Sequence, residues 1–232
     1  MDNQHRTIST RVVVRLVVLV ILLPFLPLLL SRRWDWWEAW AYAVVFIVGF
    51  AVSRGLAARR HPDLLAERLR FTHHENVKPW DRLLAPLTVL GIALIPLVAG
   101  LDARFGWSSP FNLLAKLLSL VVILAGYIWG TYALLENRFF SGVVHIQTER
   151  GHQVVSTGPY RWMRHPGYAG GLLSSVATPV FLDSRWAFLP VAFLTVALVI
   201  RSALEDRVLQ RELPGYNEYA KRVRYRLLPG VW

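Results

Sequence analysis

The sequence contains no cysteine. This absence excludes disulfides, thiolate-bound metal sites and cysteine nucleophiles. Charge is also scarce, because Asp, Glu, Lys and Arg make up 18% of the chain, whereas an average soluble domain has about 25%. Hydrophobic residues make up 54%. This composition favours a membrane protein over a soluble domain.

Several common cofactor signatures are also missing. The chain has no G-x-G-x-x-G after a strand pattern, no P-loop, no G-x-S-x-G elbow and no H-E-x-x-H. A nucleotide-like cofactor would therefore need something other than a Rossmann turn. The adjacent His73 and His74 point in different directions on a helix, so we predict no metal site there. The net charge of +11 does not indicate a nucleic-acid partner, because the arginines cluster between apolar segments and no nucleic-acid motif is present.

Long uncharged runs define the fold class. Leu83 to Leu101 and Leu117 to Leu135 each lack a charged residue, and roughly 20 apolar residues span a bilayer as a helix. We predict an all-α, multispanning membrane bundle of six or five transmembrane helices in a single domain, residues 1–232. The predicted segments are 12–31, 36–53, 83–101, 117–136, 167–182 and 186–203. The last two are short, and they form a hairpin that crosses the membrane fully or partway.

Basic residues predict the orientation of the bundle. The stretches 54–82, 137–166 and 201–226 are rich in arginine. With six spans they lie on the same side as the N-terminus, so both termini are predicted to be cytoplasmic. The first apolar run imitates a signal peptide, but its flank, SRRWDWW, has no small-residue cleavage site. We therefore predict a retained first helix.

One polar segment stands out before the fifth helix. GPYRWMRHPGYAGG, which we call the cassette (158–171), contains two prolines and four glycines. Gly158-Pro159 and His165-Pro166 take the backbone off a helical path. We predict a turned polar cap that leads into a helix at Gly167. Upstream, 143–147 and 153–156 are predicted as short extended pieces around a turn.

Two further patterns have alternative interpretations. Small residues recur every three to four positions in the fifth helix, which favours close helix packing over approach of a ligand to the backbone; they are Gly167, Gly170, Gly171, Ser174, Ser175 and Thr178. Arg201 and Glu205 lie one helical turn apart near the end of the sixth segment. They either form a local ion pair or belong to a functional site at the membrane edge.

The cassette and the later acid carry a resemblance to a known family. Gly-Pro-Tyr followed by Arg-His-Pro-x-Tyr-x-Gly, with an acidic pair after two more hydrophobic segments, resembles the isoprenylcysteine carboxyl methyltransferase family and its phospholipid methyltransferase relatives. The matching residues are Gly158, Pro159, Tyr160, Arg164, His165, Pro166, Tyr168, Gly170 and Glu205. The resemblance covers about 137–232. One departure is that the family usually has two glutamates where this chain has Glu205-Asp206.

This resemblance implies an S-adenosylmethionine (SAM)-dependent methyltransferase that binds SAM on the cytoplasmic side, with 137–232 as catalytic core and 1–136 as N-terminal helices. The implied partners are membrane lipids and a lipophilic small-molecule or prenylated methyl acceptor. The resemblance also implies that the cassette and Glu205 bind SAM. Tyr160 and Tyr168 would do so by packing on the adenine or on the sulfonium. The implied SAM-binding residues are Tyr160, Arg164, His165, Pro166, Tyr168, Gly170 and Glu205.

The chemistry of the acceptor stays open at this stage. Arg201 would orient a carboxylate, since a guanidinium matches it bidentately, whereas an amine acceptor would need His165 or Glu205 as a base. Isoprenylcysteine, a phospholipid amine, a quinone or terpenoid precursor and a hydrophobic xenobiotic are all compatible. An NADPH-dependent sterol or enone reductase is the main alternative enzyme. A scaffold or transporter is disfavoured, because the polar residues concentrate at one rim and not midway through the helices.

Overall fold

The computed structural model describes residues 18–63 and 77–232, and its regular structure within these ranges is entirely helical. The predicted all-α class is therefore confirmed. Residues 12–17 of the first predicted segment, and His73 and His74, lie outside the described residues. A π-helical turn, Val18–Leu22, leads into the helices, which are α1 (Leu23–Ser31), α2 (Trp37–Arg60), α3 (Asp81–Phe105), α4 (Leu113–Glu136), α5 (Pro166–Phe181), α6 (Phe188–Glu212) and α7 (Tyr216–Arg222).

Among the described residues, four helices are long and apolar enough to cross a membrane, namely α2, α3, α4 and α6. The fifth segment, α5, has only 16 residues. The predicted shortness of the sixth segment is wrong, because α6 has 25 residues and ends at Glu212. The residues after 203 are mainly Leu, Glu and Arg, which have high helix propensity, so α6 continues beyond its apolar part.

Small residues bring α4 and α5 into close contact. A Cβ atom added to Gly170 would lie 2.7 Å from both the Gly126 carbonyl oxygen and the Gly130 nitrogen. By contrast, a Cβ on the neighbouring Gly171 would meet nothing within 4 Å. The Ser174 hydroxyl donates to the Ile123 carbonyl oxygen at 3.0 Å. The packing interpretation of the small residues is therefore confirmed for Gly170 and Ser174.

A buried ionic cluster closes the end of the bundle at the α5–α6 turn. Lys116 of α4 binds Glu38 of α2 at 2.6 Å and Asp183 of the turn at 2.5 Å. Asp183 has a left-handed backbone, with φ 53°, and accepts the Phe111 amide at 2.7 Å. These contacts fix the turn, while α5 packs mainly on α4 and α6 packs mainly on α3.

The opposite end of the bundle, which we call the cassette end, is covered by residues 137–165. The predicted turn is present as a 3₁₀ helix, Thr148–Arg150, followed by Gly151 with φ 62°. The flanking pieces that were predicted to be extended have no strand assignment. A second 3₁₀ helix, Gly158–Arg161, begins the cassette. Helix α5 begins at Pro166, one residue before the predicted start, because proline is well suited to the first helical position.

Candidate active site

The first half of the cassette is held against α4 and α7. Gly158 has φ 54°, and a Cβ there would lie 2.9 Å from the Glu136 side chain, so this position requires glycine. Tyr160 is buried, and its carbonyl oxygen accepts the Tyr219 hydroxyl at 2.8 Å. The Tyr160 hydroxyl accepts Asn137 Nδ2 at 3.2 Å. Burial raises the pKa of Tyr160, so its phenol stays protonated.

The second half of the cassette meets the acid on α6. The Tyr168 hydroxyl donates to Glu205 Oε2 at 2.7 Å. His165 Nδ1 lies 3.8 Å from the same oxygen, and the His165 and Tyr168 rings stack with centroids 5.6 Å apart. The Glu205 side chain is 23% exposed, so it can accept further hydrogen bonds. The predicted convergence of the cassette and Glu205 is confirmed.

Asp206, to which the sequence analysis gave no role, organises this site. Its side chain is fully buried and its two oxygens have four partners. Oδ1 accepts the Tyr216 hydroxyl at 2.7 Å and lies 3.2 Å from His165 Nε2. Oδ2 binds Arg164 Nη2 at 2.7 Å and Arg226 Nε at 2.8 Å. A buried carboxylate with this many charged and polar partners fixes the side chains that surround it.

An open cavity lies between these groups, with an empty volume of about 820 Å³ including the part continuous with solvent. Of the predicted site residues, those on the cavity wall are Tyr160, Arg164, His165, Tyr168 and Glu205. Arg164 also has a buried Nε atom without a hydrogen-bond partner in the described part of the chain. A buried donor without an acceptor is unfavourable, so the cavity favours a ligand that carries an acceptor.

Arg201 does not have the environment that its spacing predicts. Within the described residues it makes no ion pair with Glu205. Its Nε and Nη2 instead donate to Asp81 at 2.7 and 3.0 Å, and Nη2 also donates to the Gly142 carbonyl oxygen at 2.8 Å. Arg201 pairs with Asp81 and not with Glu205, because Asp81 is a fully buried carboxylate at the start of α3 that needs a counter-charge. Arg201 is not among the residues that line the cavity.

Pro166 and Gly170 also lie off the cavity wall. Pro166 is buried in the first turn of α5, where its fixed φ starts the helix. Gly170 faces the backbone of Gly126 and Gly130 on α4. Neither position has the wall contact that the predicted SAM-binding role suggests. Their observed roles are to begin α5 and to bring it close to α4.

Two histidines on the opposite wall were missed by the sequence analysis. His145 is buried, with Nδ1 3.3 Å from the Val143 carbonyl oxygen. His152 accepts the Gln147 amide at Nδ1 over 3.3 Å, and its ring lies 4.6 Å from the Phe139 ring. Burial lowers the pKa of His152 to about 4, with a further contribution from His145. His152 is therefore neutral at pH 7. It lines the cavity with an uncharged ring whose Nδ1 is already hydrogen-bonded.

The same wall is connected to the ion pair of Arg201. The Val144 amide donates to Asp81 Oδ2 at 2.7 Å, and the Val144 carbonyl oxygen accepts the Lys78 amide at 3.2 Å. Together with the bond from Arg201 to Gly142, these contacts attach residues 142–144 to α3 and α6. The ion pair therefore supports the cavity wall from behind.

Comparison with known proteins connects this site to a family. Residues 117–211 match the model of the isoprenylcysteine carboxyl methyltransferase (ICMT) family. The chain is 31% identical over 139 residues to protein-S-isoprenylcysteine O-methyltransferase B of Arabidopsis thaliana, covering 57% of this chain and 64% of that protein. It is 25% identical over 194 residues to a probable protein-S-isoprenylcysteine O-methyltransferase of Oryza sativa subsp. indica, covering 80% and 93%.

A second group of relatives is named for another activity. The chain is 30% identical over 155 residues to a Delta(14)-sterol reductase of Mus musculus, covering 61% of this chain and 37% of that protein. The chain thus spans less than two thirds of the Arabidopsis and mouse relatives. The matched region 117–211 contains most of α4, the whole cassette and most of α6. Over these elements the chain is similar to the ICMT family, in agreement with the resemblance that its cassette carries.

Proposed function

We propose that this protein transfers a methyl group from SAM to the carboxylate of a lipophilic acceptor, such as an isoprenylcysteine-like molecule. The observation that carries the proposal is the meeting of Arg164, His165 and Tyr168 with Glu205 in one open cavity. The family match over 117–211 supports the reaction class. The similarity to the Arabidopsis and rice isoprenylcysteine O-methyltransferases supports a prenylated cysteine as the acceptor.

The donor set of the cavity suits SAM, which supplies an electrophilic methyl group on a sulfonium when it is bound. Arg164 Nε is a buried donor without a partner in the described chain, and it would donate a hydrogen bond to a carboxylate of the ligand. The Glu205 side chain is partly exposed, so its carboxylate can accept a hydrogen bond from a hydroxyl or an ammonium group of the ligand. The aromatic rings of Tyr160 and Tyr168 line the same cavity, and an aromatic face attracts a cation by about 0.5–2 kcal/mol.

The acceptor needs an apolar surface as well as a polar one. The cavity wall supplies it through Phe139, Phe140, Val143, Val154, Leu209 and Leu213. The polar and apolar parts lie at the cassette end of helices that are long enough to cross a membrane. A lipophilic acceptor could thus keep its chain in apolar surroundings while its carboxylate meets the polar groups. We place this end on the cytoplasmic side, because the arginine-rich stretch 137–166 lies there.

With a carboxylate acceptor, the residues of this site need not move a proton. An acceptor oxygen forms a bond to the methyl carbon while the carbon–sulfur bond breaks and its electron pair stays on sulfur. Positioning and exclusion of water then dominate the rate enhancement. His165 and Glu205 act by binding and orienting, and one of them would serve as a base only for an amine acceptor.

The role of Arg201 changes in this proposal. Because its Nε and Nη2 are bound to Asp81, we assign it to positioning the wall 142–144 and not to binding the acceptor carboxylate. Its guanidinium also lies 5.4 Å from the centroid of the Tyr168 ring. It therefore supports both sides of the cavity without lining it.

An NADPH-dependent reductase is the second candidate, favoured by the similarity to the mouse Delta(14)-sterol reductase. Purified protein in detergent should bind labelled SAM and not NADPH if the methyltransferase proposal is right. Glu205→Ala should lose SAM binding while its thermal unfolding in detergent stays near that of the wild type. Glu218→Ala, which alters an exposed glutamate on α7, serves as the control. Saturable NADPH binding without SAM binding would overturn the proposal in favour of the reductase.

A further inference from the structure

The C-terminal segment Tyr225–Trp232, which we call the strap, runs along the cassette. The Arg164 amide donates to the Tyr225 carbonyl oxygen at 2.9 Å, and the His165 amide donates to the Arg226 carbonyl oxygen at 2.9 Å. These two cassette amides precede α5, so the helix offers them no acceptor of its own. The strap thus fixes the backbone of two neighbouring residues, both of which have side chains on the cavity wall.

The strap is closed on itself around Trp232. The Trp232 carbonyl oxygen accepts the amides of Arg226, Leu227 and Leu228 at 2.9, 3.1 and 3.2 Å. The Arg226 guanidinium lies 4.6 Å from the centroid of the Trp232 ring, within the range of a cation–π contact. The side chain and the backbone of Arg226 are therefore both held in place by Trp232.

Arg226 also reaches the buried acid of the site. Its Nε donates to Asp206 Oδ2 at 2.8 Å, the same oxygen that binds Arg164 Nη2 at 2.7 Å. The other oxygen, Oδ1, lies 3.2 Å from His165 Nε2. Asp206 is thus a bridge through which Arg226 acts on Arg164 and His165. Arg226 itself is not among the residues that line the cavity.

We propose that Arg226 is a positioning residue for the methyl-transfer reaction, and this inference rests on the proposed function. Arg226 holds the Asp206 carboxylate in the orientation that aims Arg164 at the cavity, while its carbonyl oxygen holds the His165 backbone. Without Arg226, Asp206 Oδ2 keeps Arg164 as its only strong donor, and Arg164 turns toward Asp206 and away from a bound ligand. Loss of Arg226 should therefore weaken SAM binding more than it slows the chemical step.

The test measures SAM affinity and steady-state kinetics on the full chain in nanodiscs, with a farnesylated cysteine analogue as the acceptor. Arg226→Gln should raise the Kd and the KM for SAM roughly tenfold while kcat changes less than about twofold. Arg226→Lys, which keeps a charged donor, should recover most of the affinity. Trp232→Ala should weaken SAM binding by a few-fold, and Trp232→Phe by less, because the ring contact with Arg226 remains. Arg224→Gln, an exposed arginine outside the strap, is the control and should bind SAM like the wild type.

The outcomes separate the two proposals. A wild-type protein that binds no SAM refutes the proposed function, whatever the variants do. A wild-type protein that binds SAM, with equal affinity in Arg226→Gln, refutes the positioning role and leaves the proposed function intact. A fall in kcat alone, with unchanged SAM affinity, also contradicts it. If Arg226→Gln does not fold, Trp232→Ala decides, because unchanged SAM affinity in that variant overturns the proposal.

Discussion

Arg201 on α6 and Asp81 at the start of α3 form a bidentate ion pair across 120 residues of sequence, with nitrogen–oxygen distances of 2.7 and 3.0 Å. Both side chains are almost fully buried, at 7% and 0% exposure. The pair also binds the backbone of Gly142 and Val144 on the cavity wall. It joins the transmembrane helices to the cap that encloses the site.

Breaking this pair should destabilise the protein. Asp81→Asn leaves a buried guanidinium without its counter-ion, and removal of one partner of a buried pair typically costs about 3–5 kcal/mol. Arg201→Met should have a similar effect by leaving the Asp81 carboxylate unpaired. Thermal unfolding in detergent measures both variants. The double variant should recover part of the lost stability, and strictly additive losses would contradict a direct coupling between the two residues.

The Tyr168 hydroxyl should contribute to SAM binding through Glu205. Tyr168→Phe removes the 2.7 Å hydrogen bond but keeps the ring that stacks on His165. A hydrogen bond to a charged group contributes about 1.5–3 kcal/mol, so SAM affinity should fall roughly tenfold or more. Equilibrium binding of labelled SAM gives the result. Tyr225→Phe, in which an exposed hydroxyl is lost, should leave the affinity unchanged, and an equal loss in both variants would argue against a specific role.

His152 should make stability depend on pH in the acidic range. Burial lowers its pKa to about 4, whereas an unfolded histidine has a pKa of about 6.5. Between these values the unfolded chain binds a proton that the native chain does not, so stability decreases as the pH falls. We expect the melting temperature of the wild type to fall more between pH 7 and pH 5 than that of His152→Gln. Identical pH dependence in the two proteins would show that His152 does not contribute.

Gly170 and Gly171 form a natural pair for testing helix packing. Gly170→Ala would place a Cβ 2.7 Å from backbone atoms of α4, which cannot move as a flexible side chain does. Overpacking of this kind costs about 1–3 kcal/mol. Gly171→Ala meets nothing within 4 Å and should be neutral or slightly stabilising, because alanine favours helix. Thermal unfolding of the two variants in the same detergent tests this contrast, and equal stabilities would contradict it.

Much of the fold follows from local patterns in the sequence. Apolar runs predicted the four long helices α2, α3, α4 and α6, because a membrane helix must satisfy its backbone internally. The proline positions predicted where the cassette leaves the helical path and where α5 begins. The end of α6 was missed because membrane thickness limits only the apolar part of a helix, while residues after it continue the helix by their own propensity.

The site was predictable only in part. The contact between the cassette and Glu205 could be predicted, because the family pattern contains both the cassette motif and the later acid. The ion-pair partners of Asp206 and Arg201 could not be predicted. Sequence spacing favours pairs one helical turn apart, whereas a buried charge pairs with the nearest buried counter-charge in space. The strap and the cavity histidines have no local signature. The backbone contacts of the strap join segments far apart in the chain, such as His165 and Arg226.

The shortness of α5 has a consequence for the surrounding lipid. Sixteen residues at 1.5 Å rise extend only about 24 Å, less than the roughly 30 Å of a typical hydrocarbon layer. The bilayer must thin beside α5, or water and headgroups must descend to meet its first turn. Either response places the mouth of the cavity at the boundary between water and lipid, where the proposed aqueous donor and lipid-dissolved acceptor would arrive from different phases and still meet.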